Sequence, residues 1–343
     1  MAETLDDIAA RMVARGKGIL AADESTSTIA KRFDKIGLAS TEEARRDYRE
    51  LLFRTDEAMR NCVSGVILYD ETLRQKAKDG TPLVDVIAAT GALPGIKVDK
   101  GAKPLPGSPG ETITEGLDGL RERLAEYRKL GARFAKWRAV ISIGAGLPTW
   151  NCVSANAHEL ARYAALCQEA DIVPIVEPEV LMDGENAVHD IDRCYAVTEW
   201  VLKTVFQELY HAGVRLEATV LKPSMVIAGN KCPKQASPAE VAEKTIRVLK
   251  NTVPPAVAGI AFLSGGQSDE TATEHLSLMN AIGGVPWPLT FSYGRALQAA
   301  AIKAWGGKPE NVAAAQAAFL HRARMNSLAA QGTWKPDLEK KAA

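Results

Sequence analysis

The sequence predicts a single-domain (β/α)8 TIM barrel of the α/β class, and three observations carry that expectation. Short runs rich in apolar and β-branched residues recur eight times along the chain. Between them lie longer segments of helical period with charged faces. No shift in composition marks a domain boundary anywhere in the 343 residues. Alternating strand and helix implies parallel pairing, because a parallel connection needs a crossover of about a dozen residues or more. Eight such units fit one closed barrel, with an open doubly wound sheet as the alternative.

The opening stretch MAETLDDIAARMVARG carries acids and spaces its apolar residues as a helix does, unlike the charged-then-apolar layout of a secretory leader. The first strand is expected in GKGILAAD (16 to 23) and, after the helical TEEARRDYRELLFRTDEAM, the second in SGVILYD (64 to 70). The third, PGIKVDK (94 to 100), runs into a Gly/Pro-rich loop from Gly101 to Gly110. LDGLRERLAEYRKLG precedes the fourth strand, ARFAKWRAV (132 to 140), and AHELARYAALCQEA the fifth, IVPIVEPE (172 to 179). VTEWVLKTVFQELYHAG precedes the sixth, TVLKPS (219 to 224). Ser237, Pro238 and Glu240 then read as a capping box with proline at the first helical position, opening PAEVAEKTIRVLK. The seventh and eighth strands are expected in GIAFLSG (259 to 265) and PLTFSYG (288 to 294). The domain is expected to occupy 1–343, with 330–343 a flexible polar tail ending LEKKAA.

Lys plus Arg and Asp plus Glu both number 42, so the net charge is zero and no global field draws the chain to nucleic acid or an anionic membrane. No apolar run reaches the roughly 20 residues that span a bilayer. A soluble, intracellular, cytoplasmic protein is expected. The five cysteines are odd in number and form no C-x-x-C pair, which suits a reducing compartment and buried apolar roles. His158, His189, His211, His275 and His321 all fall in helix-like segments, none at H-x-H or H-x-x-x-H spacing. A histidine metal site is therefore not expected, and no cofactor is implied.

Barrel chemistry sits at the carboxyl ends of the strands. Here those ends carry charge: Asp23 on the first, Lys97 on the third, Lys136 and Arg138 on the fourth, Glu177 and Glu179 on the fifth, Lys222 on the sixth. Side chains alternate along a strand, so Lys136 with Arg138, and Glu177 with Glu179, each project to one side. A self-neutralising buried ion network is the bland reading. A network kept only for stability is often no better than apolar packing, which favours function. Lys222, followed by Pro223, is either a lysine snorkelling to solvent or a nucleophile. Partial desolvation and neighbouring Lys136 and Arg138 would disfavour its ammonium form, and a free amine attacks carbonyls. The carbinolamine so formed must lose water, which the glutamates are placed to assist; spacing does not divide the roles between them.

SGGQSDE after the seventh strand and SYGRALQ after the eighth combine small residues, free amides and Arg295, the material of a phosphate cradle. Lys97, with Ser25, Thr28, Lys31 and Arg32 after the first strand, suggests a second anion position across the mouth, as a sugar phosphorylated at both ends would need. Lys31 and Arg32 can equally be ordinary solvated helix residues.

The stretches GKGILAADEST, SGVILYDETLRQ, PGIKVDKG, AKWRAV, PIVEPEVLMDG, LKPSMV, AFLSGGQS and SYGRALQ, from Gly16 to Gln298, together resemble class I fructose-1,6-bisphosphate aldolases. The resemblance implies Lys222 as the Schiff-base lysine, Glu177 as general acid/base in its formation, and Glu179, Lys136 and Asp23 as partners in C–C cleavage. It further implies Ser264, Gly265, Gly266, Gly294 and Arg295 at the ketone-half phosphate. Arg138, Lys97, Ser25 and Thr28 would lie toward the aldehyde-half phosphate. A metal-independent lyase of glycolysis and gluconeogenesis, working as a homotetramer on a phosphorylated sugar, is the implied whole. The chain departs from the family pattern at Ser27 and Thr28, where glycine then serine is common, after LKP, where asparagine is usual, and in lacking the terminal tyrosine of many animal and plant members.

Overall fold

The computed structural model describes residues 3–184 and 187–341. Eight parallel strands form the barrel: β1 (Gly18–Ala22), β2 (Val63–Leu68), β3 (Leu93–Lys97), β4 (Phe134–Ile141), β5 (Val173–Val180), β6 (Val220–Leu221), β7 (Gly259–Phe262) and β8 (Leu289–Tyr293). The sheet closes in the order β1-β8-β7-β6-β5-β4-β3-β2. β1 pairs with β2 on one side and β8 on the other, which excludes the open doubly wound alternative. Each predicted run overlaps its strand, and four of the strands extend one residue beyond the predicted bounds. The shortest, β6, stops at Leu221 because Pro223 has no N–H to continue the ladder. Lys222 still donates its N–H to the Val176 carbonyl at 2.8 Å, which holds the lysine in register with β5.

The barrel interior is filled by Ile19, Ile67, Leu93, Phe134, Val173, Ile175 and Val220. Each such side chain contributes about 1.5–3 kcal/mol by leaving water. Phe134 fits only because Gly95 has no side chain, since a Cβ there would stand 2.3 Å from its ring. The helix Leu5–Met12 adds Ile8, Ala9 and Met12 to the same cluster. Its start is set by a reciprocal capping box between Thr4 and Asp7.

Three local expectations are corrected. Ser237 caps the helix Pro238–Thr252 by accepting from Glu240 N–H at 3.2 Å, but the Glu240 carboxylate turns to Lys244 at 3.3 Å, so the box is half formed. The Gly/Pro-rich loop contains the strand Ala102–Pro104, paired antiparallel with Thr112–Thr114. Thr114 Oγ1 donates to the Arg138 carbonyl at 2.7 Å and ties this hairpin to β4. His189 lies outside any helix; the other four histidines are helical.

Within the segment expected to be a flexible tail, Pro336–Lys341 forms a 3-10 helix and Trp334 is buried. Glu339 accepts from Arg322 at 2.7 Å and from Trp334 Nε1 at 3.0 Å. Residues 342 and 343 lie outside the described part, as do residues 1 and 2. Four cysteines are buried and Cys232 is partly so; all five are free. Burial pushes the Cys194 thiol up to about 11, which suits packing rather than nucleophilic work. Among the described residues no helix is long and apolar enough to cross a membrane.

Candidate active site

The fifth strand supplies the centre of the site. Glu177 and Glu179 lie two apart on β5 and both side chains are buried. On β4 the residues between and beside the cations are apolar, and Trp137 faces outward, its ring 5.6 Å from Tyr163 on the helix Trp150–Glu169. Alternation therefore turns Lys136 and Arg138 the other way, toward the acids of β5.

A chain of opposite charges results. Lys136 Nζ is 2.7 Å from Asp23 Oδ2 and 3.2 Å from Glu177 Oε2. The other oxygen of Glu177 is 3.1 Å from Lys222 Nζ. The contact from Lys136 to Glu177 is an ion pair without hydrogen-bond alignment, for Glu177 Oε2 has no hydrogen-bond partner. Arg138 Nε donates to Glu179 Oε2 nearer the opening. The cationic surroundings expected for Lys222 are thus offset by a carboxylate in direct contact. Lys222 is 4% exposed and Glu177 3%, too buried for a snorkelling lysine.

Burial alone would lift the Asp23 carboxyl, but the charges of Lys136 and Lys222 outweigh it and hold the group well below the ordinary carboxylate range. Glu177 follows the same logic: burial is overcome by Lys136, Lys222 and Arg138, and its carboxyl is lowered. Burial would discharge Lys136, yet Asp23, Glu177 and Asp99 keep its ammonium form well above the usual lysine range. The stabilisation from both carboxylates is therefore complete above pH about 4 and is lost only as pH falls through their depressed values.

The loop after β7 is shaped by glycine. Gly265 packs so that a Cβ would lie 3.2 Å from Glu179 Oε1, and Gly266 has φ +70° with a Cβ position 2.3 Å from Met182 Cγ. Gly266→Ala is expected to cost about 1–3 kcal/mol through left-handed strain and overpacking, read as a lowered thermal midpoint. Ser264 is buried at the head of this turn. Next to it, Gly294 is the N-cap of the helix Arg295–Trp305, which has no side-chain cap. The first amides of that helix have no intrahelical partner and suit an anion. Arg295 stands over them, Nη2 donating to the Gln267 carbonyl and Nη1 3.6 Å from Asp269 Oδ1.

Closure of the barrel changes one expectation about the second anion position. β1 lies beside β8, so the loop after β1 neighbours the Gly294 turn instead of facing it across the mouth. Ser25 caps the helix Thr26–Asp34, accepting from Thr28 N–H at 3.4 Å, with its Oγ 3.0 Å from Thr28 Oγ1. Arg32 pairs with buried Glu24, while Lys31 is exposed. Lys97 is separate, at the end of β3, with Nζ 3.1 Å from Asp99 Oδ1.

Sequence reading missed the residues behind these groups. Asp99 holds Lys97 and also accepts from Arg138 N–H at 3.4 Å. Glu24 accepts from Arg49 Nη1 at 2.5 Å and from Gln298 Nε2 at 2.9 Å, locking β1 to the helix after β8. The presence of acids one and two residues beyond predicted site residues was the only signal available. Chemically, a buried amine touching a carboxylate, beside a second ammonium group and next to an anion-binding turn, can add to a carbonyl and move the protons that addition and dehydration require. Among the described residues no three His, Cys, Asp or Glu side chains converge as a metal-binding group.

Comparison with known proteins agrees in family throughout. A family model described as fructose-bisphosphate aldolase class-I matches residues 4–343. A probable fructose-bisphosphate aldolase class 1 of Xanthomonas campestris is 59% identical over 97% of this chain and 99% of its own length. Fructose-bisphosphate aldolase C of Carassius auratus is 55% identical over 96% of this chain and 90% of its own. Among solved structures, fructose-bisphosphate aldolase of Plasmodium falciparum, described in complex with TRAP and a small-molecule inhibitor, superposes with a TM-score of 0.93. It is 51% identical and covers 96% of this chain and 95% of its own.

Proposed function

We propose, from the premise that this chain belongs to the class-I fructose-bisphosphate aldolase family and is a lyase, that it cleaves fructose 1,6-bisphosphate reversibly through an imine on Lys222. The observation that carries the mechanism is the buried Lys222 amine 3.1 Å from Glu177, whose other oxygen faces Lys136. The Lys222 ammonium first passes a proton to the Glu177 carboxylate; the amine so freed attacks C2 of the ketose, Glu177 returns the proton to the departing hydroxyl, and the iminium forms with release of water. Electron withdrawal into the iminium then lets the C3–C4 bond break as the C4 hydroxyl passes its proton to the Glu179 carboxylate. Asp23, kept ionised by Lys136, accepts from the sugar hydroxyls, and the Lys136 ammonium stabilises charge developing on oxygen. Glu179, oriented by Arg138, is the further carboxylate at this step. Glyceraldehyde 3-phosphate leaves, the enamine takes a proton, and hydrolysis frees dihydroxyacetone phosphate and the amine.

In this reading Ser264, Gly265, Gly266, Gly294 and Arg295 hold the ketone-half phosphate, supported by the uncapped helix start beside Arg295. Lys97 and Arg138 serve the other half, joined from the loop beside the Gly294 turn by Ser25 and Thr28, which favours a bisphosphate over the keto acid of a different Schiff-base lyase. We assign the enzyme to glycolysis and gluconeogenesis, in the cytoplasm, as a homotetramer with no resident cofactor. A coupled assay with fructose 1,6-bisphosphate tests the reaction: cleavage is expected to persist after prolonged incubation with EDTA. Loss of cleavage in chelator, restored by a divalent metal, would overturn the lysine mechanism in favour of a metal-dependent one.

A further inference from the structure

We propose that His275 and Gln267 are positioning residues for the phosphate cradle, fixing the loop carbonyl that aims the Arg295 guanidinium. The proposal rests on the reading of that cradle given above. His275 lies in the helix Asp269–Ile282, is buried, and has Nδ1 2.6 Å from Gln267 Oε1. Gln267 is buried as well, and its N–H donates to the Ser264 carbonyl at 3.3 Å, closing the turn through Gly265 and Gly266. Its own carbonyl accepts from Arg295 Nη2.

Gln267 therefore joins three parts that different elements supply: a helix, the glycine turn and the arginine. The other arm of Arg295 is 3.6 Å from Asp269, too long for a hydrogen bond, which leaves the carbonyl as the closer anchor. The guanidinium is a rigid planar fork, so fixing one nitrogen restricts the direction of the rest. The arginine side chain is 49% exposed, so burial alone does not fix its direction. Gln267 Nε2 is buried without a partner. An apolar residue would avoid that cost, which marks the side chain as kept for the contact its oxygen makes. Burial pushes the His275 imidazole down to about 4, so at neutral pH it is uncharged and does not compete with Arg295 for an anion.

The test compares His275→Leu, Gln267→Leu and the double variant with the unsubstituted protein. Calorimetry reads affinity for inorganic phosphate, and borohydride trapping on Lys222 is followed with dihydroxyacetone phosphate and with unphosphorylated dihydroxyacetone. Each single variant is expected to weaken phosphate binding about tenfold, the scale of one charge-assisted hydrogen bond, and to weaken trapping of the phosphorylated ketone in parallel. The double variant is expected to match the singles, because both break one linkage. Unchanged phosphate affinity in either single variant overturns the proposal. Equal loss of both ketones also overturns it, since that reports general damage to the barrel mouth. Failure of the imine reading looks different: the unsubstituted protein itself yields no Lys222 adduct, while phosphate affinity still decides the positioning role.

Discussion

Lys222→Met is expected to lower kcat/KM for fructose 1,6-bisphosphate by on the order of 10⁴-fold or more, to the level of residual binding effects. Methionine keeps the length and fills the buried space with a flexible apolar chain, but it has no nucleophile. It also leaves Glu177 with Lys136 as its remaining ammonium neighbour at 3.2 Å. The protein is therefore expected to fold, with near-native circular dichroism, while losing activity. Steady-state kinetics alongside thermal unfolding separates the two effects; a folded variant retaining even a tenth of the activity would be incompatible with a covalent lysine.

Glu177→Gln is expected to have the second largest effect. The carboxylate bridges Lys136 and Lys222, and it is the group placed to protonate the departing hydroxyl. An amide of the same shape cannot move that proton, which removes about 10²–10⁴-fold in kcat. The substitution also leaves two buried ammonium groups facing a neutral partner, a situation that costs roughly 3–5 kcal/mol when one member of a buried pair is removed. Lower kcat with a lowered thermal midpoint is the expected pair of results. Full kcat in this variant would move the proton-transfer role to Glu179.

The fold was legible because its signal is local. Each strand is an apolar run bounded by turn residues, and strand alternation alone places Lys136 with Arg138 and Glu177 with Glu179. The ionic chain then follows from the pairing of β4 with β5, which sets Arg138 opposite Glu177. What stayed hidden depends on closure. The first loop was expected across the mouth from the last two, yet a barrel brings its first and last strands together, so Ser25 neighbours Gly294. His275 read as an ordinary helix residue, because its partner Gln267 lies in a turn whose side-chain direction no periodicity specifies. The hairpin over Ala102–Pro104 was missed for a related reason: three-residue strands in a Gly/Pro-rich stretch carry too few alternations to register. Glu240 shows the limit of a motif, since its carboxylate found Lys244 one turn on instead of the cap.

The most direct test of the account is chemical trapping. The protein is incubated with excess dihydroxyacetone phosphate, reduced with borohydride, digested, and mapped by mass spectrometry, with Lys222→Met treated in parallel. The account predicts one stable adduct, on Lys222, absent from the variant. No adduct in the folded protein, or an adduct confined to Lys136 or another lysine, would contradict it.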